Sequence, residues 1–152
     1  MLQVVDSADA ERREWMGLLA RAPRELLEQW AARTDVPEFS WLRRPEHGLA
    51  MVRARAGGSG AKFNLGEMTI TRCALRLEGG ASGVAYIQGR DAKKAELAAL
   101  ADALLQGKGA RRVKAELIEP LRSHLAARAA AMQRKAQATR VDFFTLAREA
   151  GE

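Results

Sequence analysis

The stretch Thr69–Glu96, TITRCALRLEGGASGVAYIQGRDAKKAE, decides how this chain is read. Thr71, Cys73, Leu75 and Leu77 fall on every second residue, with Arg72 and Arg76 between them, which is the period of a strand with one face buried. Gly79-Gly80 turns the chain, and SGVAYIQG returns with Val84 and Tyr86 alternating against Ala85 and Ile87. The period then changes, and Leu97, Leu100, Ala101 and Leu104 form a helical stripe ended by Gly107, a residue suited to a left-handed stop. Gly89-Arg90-Asp91 stands where strand hands over to helix. Asp91 suits an N-cap, because its carboxylate can accept from the free N–H groups of a first turn. The same junction offers those N–H groups to an anion, with Arg90 beside it, so cap and site both stand as readings.

Working outward, LAMVRAR (49–55) and KFNLGEM (62–68) alternate in the same way around the glycine-rich AGGSG, which predicts a second hairpin. Pro45-Glu46-His47-Gly48 reads as a turn leading into it. Upstream, Trp15, Leu18, Leu19 and Ala22 mark one helix face, and Pro23 opens a second helix carrying Leu26, Leu27 and Trp30. Downstream, Pro120 begins a long helix with a narrow seam of Leu121, Leu125, Ala129 and Met132, and VDFFTLARE adds a short final one. The expected fold is α+β over a single domain, 1–152. It has a small antiparallel sheet of about four strands in two hairpins, flanked by N-terminal and C-terminal helices.

Composition narrows the function classes. The chain has 152 residues, 47% hydrophobic and 29% charged, as in ordinary globular proteins. No apolar stretch reaches the ~20 residues of a membrane span. The acidic start of the sequence lacks the pattern of a signal peptide. A single cysteine, Cys73, excludes an internal disulfide framework and fits a reducing compartment, so the cytoplasm is expected. His47, His124 and Cys73 lack zinc-ligand spacing. Ser59 in GGSG is not a nucleophile elbow, and GGSGAKF lacks the Lys-Ser/Thr ending of a phosphate-binding loop. No catalytic, cofactor-binding or metal-ligating residue is expected.

Charge is unevenly placed. The net +6 divides into −3 over residues 1–40, +4 over 41–107, +7 over 108–140 and −2 over the last twelve. The basic segment suits an anionic partner or a solvated helix face. Nucleic acid is a distant alternative that rests on charge alone, because aromatics make up only 5% and no base-reading motif is present.

Four strings occur in order: REWMGLLA, GGSGAKFNLGEMTITRCALRL, GVAYIQGRDAKKAELAALADALLQ and TRVDFFTLARE. Together they resemble the PhnG family, the small G subunits of the bacterial carbon–phosphorus lyase system for phosphonate breakdown. The resemblance covers nearly the whole chain and is weakest in GKGARRVKAELIEPLRSHLAARAAAM. It implies a cytoplasmic core complex with H, I and J subunits. With G, H and L present, the I subunit lets phosphonate displace adenine from the ribose C1′ of ATP. The J subunit, using S-adenosylmethionine and an iron–sulfur cluster, later cleaves the carbon–phosphorus bond. The G subunit is implied to be an accessory without a cofactor of its own, and most directly a partner of I. The alternative is that it contributes residues to the nucleosidase site. Arg72, Arg76, Arg90 and Asp91 are candidates to face a partner or an anion, as are Arg140, Asp142, Phe143 and Phe144. Adjacent phenylalanines on a helix point about 100° apart, so one is expected on this subunit's core and the other on the I subunit.

Overall fold

The computed structural model describes residues 7–140. Helices α1 (Ser7–Arg21) and α2 (Arg24–Ala31) precede strands β1 (Phe39–Arg55), β2 (Lys62–Leu77) and β3 (Ser82–Gln88). Helices α3 (Ala92–Leu105), α4 (Ala110–Val113) and α5 (Glu119–Ala138) follow, with a π-helical turn at Lys114–Ile118 joining the last two. The described residues are therefore α+β, as expected.

The sheet holds three antiparallel strands among the described residues, in the order β1-β2-β3, where about four were expected. Two of the expected strands, 62–68 and 71–77, are one continuous β2. The expected turn at Pro45–Gly48 lies inside β1, where the register with β2 shifts between Arg43 and Glu46. Proline offers no N–H to a ladder, but β1 is an edge strand, and an edge with a register shift is where a strand tolerates one. The AGGSG loop does turn the chain, pairing Arg55 with Lys62, and Gly79 turns β2 into β3 with φ 61°.

All the helices that build the core pack on one face of this sheet. Thr71, Cys73, Leu75 and Leu77 are buried on it together with Ala85 and Ile87, as their alternation predicts. Trp15, Leu18, Leu19 and Ala22 complete the α1 face, and Leu27 and Trp30 that of α2. Helix α3 is more deeply enclosed than a single stripe implies. Ala95, Leu97, Ala98, Ala99, Leu100, Ala101, Asp102, Ala103 and Leu105 are all buried, because sheet and helices surround it. Small residues let the sheet approach. A Cβ on Gly83 would stand 1.9 Å from Ala99 O and 2.7 Å from Ala103 N, so β3 and α3 touch backbone to backbone there. Gly107 does not take the left-handed conformation expected of it, and α3 ends at Gln106 with right-handed helical φ and ψ.

The long C-terminal helix was expected to begin at Pro120, but helical structure starts ten residues earlier, at Ala110. Pro120 then sits just inside α5. A proline there cannot donate to the carbonyl four residues back and crowds it. The widened π turn immediately before it relieves that conflict. Of the α5 seam, Leu121 is buried and Leu125 half-buried, whereas Ala129 and Met132 are exposed. The helix leaves the core after Leu125.

Candidate functional site

The Gly-Arg-Asp junction is organised around Thr71, which is fully buried. Its hydroxyl donates to Gly89 O (2.6 Å) and accepts from the Asp91 amide (3.1 Å). His47 Nδ1 lies 3.0 Å from the same oxygen. A hydroxyl carries one proton, here committed to Gly89, so Nδ1 of His47 is the donor in that contact. Gly89, at φ 86°, donates back to Thr69 O (2.8 Å). Asp91 caps α3 by accepting from the Lys94 amide (2.9 Å), and Arg24 Nη1 approaches the same oxygen at 3.5 Å. With that oxygen occupied by the helix amide and an arginine, the junction is a structural knot. The cap reading holds, and the centre of the knot, Thr71, is a residue that the pattern places only as one more buried strand position.

Arg72, Arg76 and Arg90 do not converge. Arg72 and Arg76 are four residues apart on the sheet face away from the helices, about 13 Å along the strand. Arg72 Nε donates to Glu46 Oε1 (2.7 Å), which also accepts from Arg43 (2.5 Å). The Arg43 hydrogen bond, then that of Arg72, lowers the Glu46 pKa, and Glu46 in turn raises that of Arg72. Arg76 Nε donates to Ser82 Oγ (3.0 Å). Arg90 is exposed and makes no side-chain hydrogen bond or ion pair among the described residues. Arg140 is exposed just past α5, and Asp142, Phe143 and Phe144 lie outside the described residues.

Other groups are arranged for structure. Cys73 is buried, and desolvation pushes its thiol up from 9.0 to about 11, so it is protonated and enclosed. Asp102 is fully buried on α3 and accepts four bonds: Arg12 Nε (3.2 Å) and Trp15 Nε1 (2.9 Å) at one oxygen, Arg12 Nη2 (2.8 Å) and the Val84 amide (3.0 Å) at the other. The hydrogen bond from Arg12 to Asp102 raises the arginine's pKa. This carboxylate ties α1, α3 and β3 together. Among the described residues no three His, Cys, Asp or Glu side chains group as a metal site, and no helix is long and apolar enough to cross a membrane. A cavity of about 340 Å³ lies between α2 and the π turn, lined by Leu26, Trp30, Arg33 and Pro120 among others, and its Arg112 and Glu116 pair with each other at 2.8 Å.

What the molecule does expose is apolar surface. Leu49, Met51, Phe63 and Leu65 stand out of the β1–β2 hairpin, Tyr86 out of the open sheet face, and Met132 out of α5. A groove beside Met132 is lined by Leu125, Ala129, Arg21, Lys94 and Arg128 among others, a mixture of apolar and basic side chains. Apolar patches framed by charge are the signature of protein contact.

Comparison with known proteins places this surface in context. Residues 10–149 match the family described as phosphonate metabolism protein PhnG. A protein of Rhizobium meliloti (strain 1021), alpha-D-ribose 1-methylphosphonate 5-triphosphate synthase subunit PhnG, is 47% identical over 148 residues, covering 94% of this chain and 92% of that protein. The chain belongs to the PhnG family of phosphonate metabolism proteins.

Proposed function

We propose that this chain is an accessory subunit of a synthase that joins phosphonate to the ribose C1′ of ATP with release of adenine. In this reading it works with H, I and J subunits and touches I most directly. The observation that carries the reading is the 47% identity, over nearly the full chain, to a protein described as a subunit of alpha-D-ribose 1-methylphosphonate 5-triphosphate synthase. The exposed apolar side chains of the β1–β2 hairpin and of α5 support a role built on contacts with other subunits. ATP is then a substrate of the assembly, and S-adenosylmethionine and an iron–sulfur cluster belong to J. The tail beginning at Arg140, with Asp142, Phe143 and Phe144, is proposed to divide its two rings between this subunit and I.

The test is co-expression of the I subunit with and without this chain, followed by measurement of soluble I and of adenine released from ATP in the presence of phosphonate, H and L. Soluble, active I only when this chain is present supports the reading. Equal yield and activity without it refutes the accessory role. Arg90→Ala in the assembled complex separates the two forms of the proposal. An unchanged rate fits a supporting subunit, and a rate loss with intact assembly moves Arg90 into the active site.

A further inference from the structure

Strand β3 pairs with β2 only over Ile70–Arg76, but β1 and β2 run on together from Leu49↔Thr69 to Arg55↔Lys62. Among the described residues, that leaves a two-stranded arm with no third strand paired to it. Leu49 and Met51 continue the row that is buried further along at Thr71, Cys73 and Leu75, since Leu49 pairs with Thr69 and His47 with Thr71. On the arm they are 65% and 53% exposed, and Phe63 and Leu65 across the hairpin are 44% and 65% exposed. These four are half of the large exposed hydrophobics among the described residues. An isolated two-stranded hairpin is marginal in water, and a long exposed apolar one invites pairing.

The backbone points the same way. Gly89 donates to Thr69 O on the β3 side of β2. Strand alternation therefore turns the amide and carbonyl of Glu67 to the same side, into the row that β3 has vacated. The tip is basic, with Arg53, Arg55 and Lys62 against the single acid Glu67. Two copies meeting arm to arm would bring these cations together. A partner of opposite charge would not.

We infer that the arm, Leu49–Thr69, is a docking element that enters an apolar cleft with an acidic mouth on another protein subunit of the synthase. Leu49 and Met51 on one face of the arm and Phe63, paired with Ala54, on the other meet the walls of the cleft, with Leu65 at the bulge between them, and Arg53, Arg55 and Lys62 meet the acids. The inference rests on the subunit reading above.

The decisive variant replaces residues 53–65 by Asn-Gly, joining Val52 to its partner Gly66 through a two-residue turn and leaving the core untouched. A milder one is Leu49→Ser with Met51→Ser. Each is co-expressed with the H, I and J subunits, and incorporation into the purified complex is measured beside the melting temperature of the variant chain alone. The expected result is an unchanged melt with at least tenfold less incorporation for the shortened arm, and a smaller loss, relieved by salt, for Arg53→Glu with Arg55→Glu. Full incorporation of the shortened arm, with an unchanged rate of adenine release, overturns the inference and leaves the subunit reading standing. Failure of the wild-type chain to enter any complex overturns the subunit reading itself. A wild-type chain that is a dimer alone, and a monomer once its arm is shortened, assigns the arm to a second copy and overturns the inference.

Discussion

Replacing Asp102 by Asn keeps the shape of the side chain and removes its charge. The carboxylate accepts two donors on each oxygen, from Arg12, Trp15 and the Val84 amide. An amide offers one acceptor oxygen, and its NH₂ must face two of those donors whichever way it is turned. Each charge-assisted bond contributes about 1.5–3 kcal/mol, and breaking a buried pair from one side costs about 3–5 kcal/mol. Arg12 is one-third exposed and recovers water, which reduces its share, whereas Asp102 itself is fully enclosed. The net expectation is a loss of about 3 kcal/mol, which lowers the melting temperature by roughly 6–12 °C in a chain of this size. Urea unfolding of the isolated chain, followed by circular dichroism, measures it. A loss below about 1 kcal/mol at unchanged slope would refute the view that this carboxylate holds α1, α3 and β3 together.

Three further outcomes are expected. Gly83→Ala forces a methyl into Ala99 O and the Ala103 backbone, and the overpacking should cost about 1–3 kcal/mol or more in the same unfolding assay. Thr71→Val keeps volume but strands Gly89 O and the Asp91 amide, for about 2–3 kcal/mol, read by thermal melt together with faster amide exchange at the start of α3. Cys73 should resist iodoacetamide at pH 8 while folded and react once unfolded. Because its folded pKa of about 11 lies above the ordinary 9.0, the unfolded chain ionises first, so its contribution is intact below pH 9.0 and falls as pH rises above it. Cys73→Ala should flatten that alkaline loss.

The parts of the fold legible in the sequence are those where local period and tertiary burial agree. Thr71 to Leu77 alternate because one face meets helices, Trp15 to Ala22 recur at helical spacing because α1 lies on the core, and Asp91 caps because a helix follows it. The parts that were not legible depend on residues far away in the chain. Pro45 and Gly48 carry turn chemistry, and only the edge position of β1 lets them stay in a strand. From Leu97 to Leu105 helix α3 is alanine and leucine apart from Asp102, so no polar face there shows that it is surrounded. Asp102 is a single acid in that run, and its partners come from α1 and β3. Alternation made Arg72 and Arg76 legible as lying opposite the Thr71–Leu77 face, but not their partners. Their separation follows from the strand spacing of Arg72 and Arg76, and their partners, Glu46 and Ser82, from pairing across the sheet.

The basic segment 108–140 also changes meaning once folded. Lys114 pairs with Glu11, and Arg122 with Glu14 (2.6 Å) and Glu119 (2.7 Å). Arg112 pairs with Glu116, so the front of the segment is matched largely by the acids of α1 and by its own. The rear is different. Arg128, Arg134, Lys135 and Arg140 make no ion pair among the described residues, and they lie where α5 has left the core beside exposed Ala129 and Met132. Ordering a helix past its last buried contact, like ordering a ribbon past its last covering strand, costs conformational entropy that no burial among the described residues offsets. The protein does both. An isolated folding unit gains nothing from either extension, but a subunit gains from each a surface that is apolar, basic and already shaped before its partner arrives.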